Sequence, residues 1–147
     1  MKALILVFSL IGGWTQVTAQ LALPDGNGGW VVQVVTSGGF SGTGGGDFTI
    51  SSQGKILCSA QMSCPKNFVI ADFQPLVEII RPDVLPVLPP AVVSLCRDCI
   101  TRTITIRRRD SIGVVHTYTA SWDDTTKSKL PQEVIRIYDA ILTLPRN

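Results

Sequence analysis

The chain lacks several things that functional classes depend on. It has a single histidine, His116, among 147 residues. No serine or cysteine with a recognisable local nucleophile signature accompanies it, so a hydrolase-type triad is not legible. Charged residues make up only 16% of the chain and the formal net charge is +2. Lys2 lies in the first segment, so the remainder is close to neutral, and the clustered basic excess of a nucleic-acid binder is missing. The one basic run is Arg107-Arg108-Arg109, partly offset by Asp110. It reads as a solvated strand end that discourages edge pairing, with a site for phosphate or an acidic partner as the alternative. No apolar run after the first residues is long enough for a membrane helix. The phosphate-binding glycine patterns are missing too. The glycine-rich stretch here precedes a strand rather than a helix, and it has no Lys-Ser or Lys-Thr pair. No internal repeat is visible, and nothing calls for a metal or cofactor.

What is present begins with the N-terminus. Met1-Lys2, an apolar run over residues 3–11 and the small-residue ending Val17-Thr18-Ala19 read as a secretory signal peptide spanning residues 1–19. A buried first strand is the alternative. The expected location is secreted or periplasmic. Four cysteines remain, Cys58, Cys64, Cys96 and Cys99. An even count in an exported chain points to two disulfides. Three pairings are open, and spacing does not choose among them. A tie between the two clusters would close a long loop and contribute about 3–4 kcal/mol, whereas pairing within each cluster gives less. Cys96-x-x-Cys99 also fits half of a zinc site, but the five-residue gap between Cys58 and Cys64 fits the other half poorly. A redox role for Cys96 and Cys99 is the third reading, although no βαβ pattern surrounds the pair.

Residues 20–29 read as a mobile, turn-rich leader, and residues 30–147 as a single domain. Strands are expected over 30–37, 48–51 and 55–60, forming a meander. A helix is expected from near Asp72 to Pro82, with Phe73, Leu76, Val77 and Ile80 on one face. A proline-rich crossing follows. Residues 100–109 alternate, with Ile100, Ile104 and Ile106 on one side, Arg102 as the exception, and Thr101, Thr103, Thr105 and Arg107 on the other. Residues 114–122 return as a strand with Val114, Tyr118, Ala120 and Trp122 on one face. Asp123-Asp124 could be read as a cation-binding pair, but two carboxylates do not complete a calcium shell. A solvated loop, with capping of the following helix as an option, is the favoured reading. The last helix runs from about Pro131 to Leu142, with Val134, Ile137, Tyr138 and Ile141 as its buried stripe. The expectation is an α+β domain in the order β-β-β-α-β-β-α. One antiparallel sheet of about five strands carries two helices packed on one face, and the Thr/Arg face meets water.

The stretch Ser37-Gly38-Gly39-Phe40-Ser41-Gly42 opens a longer glycine run. It reads either as a flexible hairpin connection or as a binding loop with Phe40 as the aromatic anchor. With the strand before it, Val34-Val35-Thr36, it resembles the N-terminal strand and loop of the emfourin family, small proteinaceous inhibitors of thermolysin-like metallopeptidases. The threonine-rich hairpin, Trp122-Asp123 and the helix beginning at Leu130-Pro131 extend that similarity loosely to the C-terminal half. The resemblance implies a non-enzymatic domain whose residues Ser37, Gly38, Gly39, Phe40, Ser41 and Gly42 block a protease cleft. The chain departs from the family in its signal peptide, its two cysteine pairs and the extra run Thr43-Gly44-Gly45-Gly46. The expected partner is a thermolysin-like metallopeptidase or another exported protein, with no nucleic acid and no membrane after signal cleavage.

Overall fold

The computed structural model describes residues 23–38, 46–58, 74–81, 96 and 98–144. Five strands form one antiparallel sheet: β1 Trp30–Gly38, β2 Gly46–Ser51, β3 Ile56–Cys58, β4 Ile100–Arg109 and β5 Val115–Trp122. Their order across the sheet is β3-β2-β1-β4-β5, so the valine-rich β1 is the middle strand. β-branched residues suit this place, since their stiff side chains pack well on a pleated surface with neighbours on both sides. The register Val32↔Ile106 and Val34↔Ile104 on one side, and Val32↔Ile50 and Val34↔Phe48 on the other, aligns two apolar rows across three strands on one face.

That face is covered mainly by one helix, α2 (Gln132–Leu142). Val134, Ile137, Tyr138 and Ile141 recur at helical spacing and are all buried, so the stripe turns to the sheet while Gln132, Glu133 and Arg136 face solvent. Trp122 meets Tyr138 edge-on, with ring centroids 5.0 Å apart, locking the end of β5 to the helix. The core cluster joins Trp30, Val32, Phe48, Ile50, Ile104, Ile106, Trp122 and the α2 stripe.

The expected layer of two helices is corrected. Among the described residues only α2 runs for three turns. The first predicted helix is a six-residue piece, α1 (Gln74–Ile79), and the connection after β5 adds a single 3₁₀ turn at Lys127–Lys129. The fold is mostly sheet. The helix stops at Ile79, in keeping with Pro82 shortly after it, since a proline disfavours helix in the residue before it; residues 71–73 lie outside the described residues. Leu76 and Ile80 of this piece do reach the core; Phe73 lies outside the described residues.

Four smaller expectations also change. Ile100 and Val114, assigned to the core face, are 38% and 50% exposed: Ile100 is the first residue of β4, and Val114 lies in the hairpin turn before β5 begins at Val115. The face expected to meet water is partly closed: Val31 and Gln33 on it are 1% and 9% exposed. Both lie on the middle strand, Val31 between Ser51 and Arg107, Gln33 between Thr49 and Thr105. The leader is held rather than loose over residues 24–29. Gly28 N–H donates to the Arg109 carbonyl, and Arg109 N–H donates to that of Gly29. Arg109 Nε also donates to the Pro24 carbonyl, and Asn27 Nδ2 to that of Ser111. No helix among the described residues is long and apolar enough to cross a membrane. The expected signal peptide lies outside the described residues.

Candidate functional site: the loop end of the sheet

Antiparallel pairing brings distant parts of the chain to one end of the sheet. The end of β1 pairs with the start of β4, Ser37↔Thr101 and Gly38↔Ile100, and Thr36 pairs with Gly46 at the start of β2. The end of β5 arrives there through Arg102↔Trp122. The roots of the β1–β2 connection, the segment before β4 and the turn after β5 therefore meet.

Of the six residues in the predicted binding stretch, Ser37 and Gly38 are placed at this end and are exposed. Gly39, Phe40, Ser41 and Gly42 lie outside the described residues. Gly38 has a structural reason to be glycine. Its φ is +89°, and a Cβ built on it would come within 2.5 Å of the Cys99 carbonyl oxygen. Both conditions exclude other residues, so the strand leading into the connection passes directly against the backbone of Cys99.

Cys96 and Cys99 form a disulfide. This resolves one pair of the cysteine set: pairing lies within the cluster. Cys58 is also disulfide-bonded; Cys64 lies outside the described residues. Closing a loop of four residues removes little freedom from the unfolded chain, about 2 kcal/mol by chain entropy. Cys96 is exposed and Cys99 half-buried. The oxidised pair fits an oxidising compartment.

Asp123 stands beside this pair. One of its carboxylate oxygens and the two sulfurs all lie within 4.8 Å of one another. The sulfurs are bonded to each other, so this grouping offers no thiolate to a metal. Asp123 is 1% exposed. Its Oδ1 accepts from the Thr125 and Thr126 amides at 2.8 and 3.0 Å and from their hydroxyls at 2.6 and 3.1 Å. The reading of Asp123-Asp124 as a solvated loop is corrected. Asp123 is a buried turn-former, while its neighbour Asp124 is exposed and pairs with Arg102 at 2.6 Å. The signal was in the run Asp-Asp-Thr-Thr, where an aspartate can accept amides two and three residues on.

The other sequence candidates sit elsewhere. His116 is at the opposite end, its Nε2 2.9 Å from Asp110 Oδ2, and half exposed. It is a hairpin contact, not the partner of Asp123 or Cys99. The basic run divides across the sheet by the two-residue period of a strand. Arg108 turns to the helical side and donates from Nη1 to the Ile80 carbonyl, while Arg109 donates to the Pro24 and Gly113 carbonyls. Two of the three guanidiniums thus hold backbone together. The threonine face is self-bonded: Thr103 and Ser121 hydroxyls lie 2.8 Å apart, those of Thr105 and Thr119 3.3 Å.

Comparison of the chain with family models, curated proteins and solved structures gives no match.

Proposed function

We propose that the protein is an exported protein-binding domain whose contact segment is the connection between β1 and β2, acting by occupying a partner's cleft. The observation that carries this reading is the rooting of that connection. It leaves the middle strand of the sheet through the exposed Ser37 and Gly38 and returns at Gly46, the register partner of Thr36. A contact segment borne on a strand bonded along both edges costs less order on binding than one borne on a free edge. No covalent chemistry is required, since the action is steric.

The emfourin resemblance makes a thermolysin-like metallopeptidase the specific partner to test. Purified mature domain is added to such a protease, and wild type is compared with Phe40→Ala. The expected outcome is inhibition at micromolar concentration that Phe40→Ala weakens at least tenfold. No inhibition by wild type removes the protease as partner, and equal inhibition by both proteins removes Phe40 from the contact. The second reading is a non-inhibitory binding module for another exported protein. It predicts capture of a partner from culture medium that deletion of residues 39–45 abolishes.

A further inference from the structure

We propose that Cys96–Cys99 is a thiol–disulfide exchange site, with Cys96 as the sulfur open to attack and Asp123 as the positioning residue that sets the acidity of the pair. Three observations converge on it. Cys96 is the exposed residue of the pair and Cys99 the half-buried one, so Cys96 is the more accessible to a partner. The bond spans only three positions of sequence, and the strands on either side of it are registered without its help, through Gly38↔Ile100 and Arg102↔Trp122. A buried carboxylate lies within 4.8 Å of both sulfurs, held by four donors from Thr125 and Thr126. That carboxylate is placed by its turn, but it lies close enough to bear on the pair's chemistry, because thiolate character controls the rate of exchange and a negative charge beside a sulfur lowers it.

The co-reactant is a dithiol. One of its thiolates attacks Cys96 Sγ and forms a mixed disulfide. The bond between the two cysteine sulfurs breaks, and its electron pair leaves on Cys99 Sγ, which takes a proton from solvent. The second thiolate of the donor then attacks the donor sulfur of the mixed disulfide. Cys96 leaves as a thiolate and is protonated in turn. Two electrons and two protons have passed to the pair, and the donor has become a disulfide. Asp123 acts through its charge, disfavouring a thiolate beside it. Among the described residues, the other charged groups of the surrounding elements are engaged or exposed; Arg97, between the two cysteines, lies outside them. Arg102 of β4 pairs with Asp124, Lys127 of the 3₁₀ turn pairs with Asp139 of α2 at 3.0 Å, and Asp98 is exposed.

The test uses the chain from residue 20 onward, without the expected signal peptide, in its oxidised form. Graded dithiothreitol is added, free thiols are alkylated, and mass spectrometry locates the label while circular dichroism follows the sheet. The expected result is reduction of Cys96–Cys99 at dithiol concentrations that spare both the Cys58 disulfide and the sheet signal. Reduction only together with loss of the sheet, or no earlier than at Cys58, overturns the exchange site. The role of Asp123 is read from the pH profile of alkylation of the reduced wild type and of Asp123→Asn, which keeps an oxygen at the turn. Removing the charge is expected to speed alkylation at pH 7 roughly five- to tenfold and to move the profile to lower pH. Superimposable profiles overturn that role. If Asp123→Asn does not fold, an alkylation profile of the reduced wild type no higher in pH than that of a free cysteine overturns it instead. None of these outcomes depends on inhibition of a protease, so this inference and the proposed function fail separately.

Discussion

Asp110 at one end of the sheet and Asp123 at the other each accept two backbone amides just downstream. For Asp110 these are Ile112 and Val114, at 3.0 and 2.8 Å; for Asp123 they are Thr125 and Thr126, at 2.8 and 3.0 Å. The turn chemistry is alike, but the surroundings are not. Asp110 sits in a half-exposed hairpin beside His116, and Asp123 is fully buried beside a disulfide. The hairpin end is tied by many hydrogen bonds, from Arg109 to the segment before β1, and carries no function that these observations suggest. The loop end is held by glycine and sulfur chemistry. It is also where the exposed, glycine-rich connection begins. The same short-range motif therefore closes an ordinary turn in one place and fixes a buried charge in the other, and burial makes the difference.

Substituting the two aspartates is the sharpest way to break this comparison. Asp123→Ala leaves two amides without their acceptor in the interior and is expected to destabilise by about 3 kcal/mol. Asp110→Ala, whose amides can turn to water, is expected to cost distinctly less. Urea denaturation of both variants decides it, and equal losses would dissolve the distinction. The glycines allow a finer version. Gly38 and Gly113 have nearly the same φ, +89° and +90°, but only Gly38 faces backbone where a Cβ would go. Gly113→Ala should cost about 1 kcal/mol from backbone strain alone. Gly38→Ala adds the collision with the Cys99 carbonyl and should cost at least about 2 kcal/mol. A smaller loss at Gly38 would mean that the strand can draw away from Cys99.

Acid probes the hairpin end by itself. The hydrogen bond from His116, followed by those from the Val114 and Ile112 amides, holds the Asp110 carboxyl below its ordinary value of 3.8. A depressed native value means stabilisation that is complete above 3.8 and is lost as pH falls through the native value. Titration of the Ile112 and Val114 amide resonances should therefore show a midpoint below 3.8, and a midpoint at or above it would contradict the geometry. The smallest effect is expected in the core between the two ends. The Tyr118 hydroxyl is buried with no hydrogen-bond partner among the described residues, and burial raises its pKa. Tyr118→Phe removes an uncompensated polar group, so thermal denaturation should show no loss of stability and a gain of up to about 1 kcal/mol.

Much of the fold was legible because its signals are local and periodic. The alternation of Ile104 and Ile106 with Thr103 and Thr105 marks β4, and Val134, Ile137, Tyr138 and Ile141 mark α2, wherever the rest of the chain goes. The first helix was read too far at its C-terminal end because Leu76, Val77 and Ile80 keep helical spacing up to Pro82, while the helix stops at Ile79. Asp123 was misread for a different reason. A polar run of Asp, Thr and Lys resembles a surface loop in composition, and nothing local records that its first residue is buried beside the Cys96–Cys99 pair. Cysteine pairing was open for the same reason, since spacing fixes which pairs can form, not which strands lie nearby.

Residue order alone determined the strand periods, the buried stripe of α2 and the turn formers, because each depends on neighbours a few positions apart. Only the tertiary structure decided that Gly38, Cys99 and Asp123, up to 85 positions apart along the chain, share one end of the sheet. The physical reason is that antiparallel register is set by long-range pairing of whole strands, and the burial that gives an aspartate or a glycine its role appears only once those strands have come together.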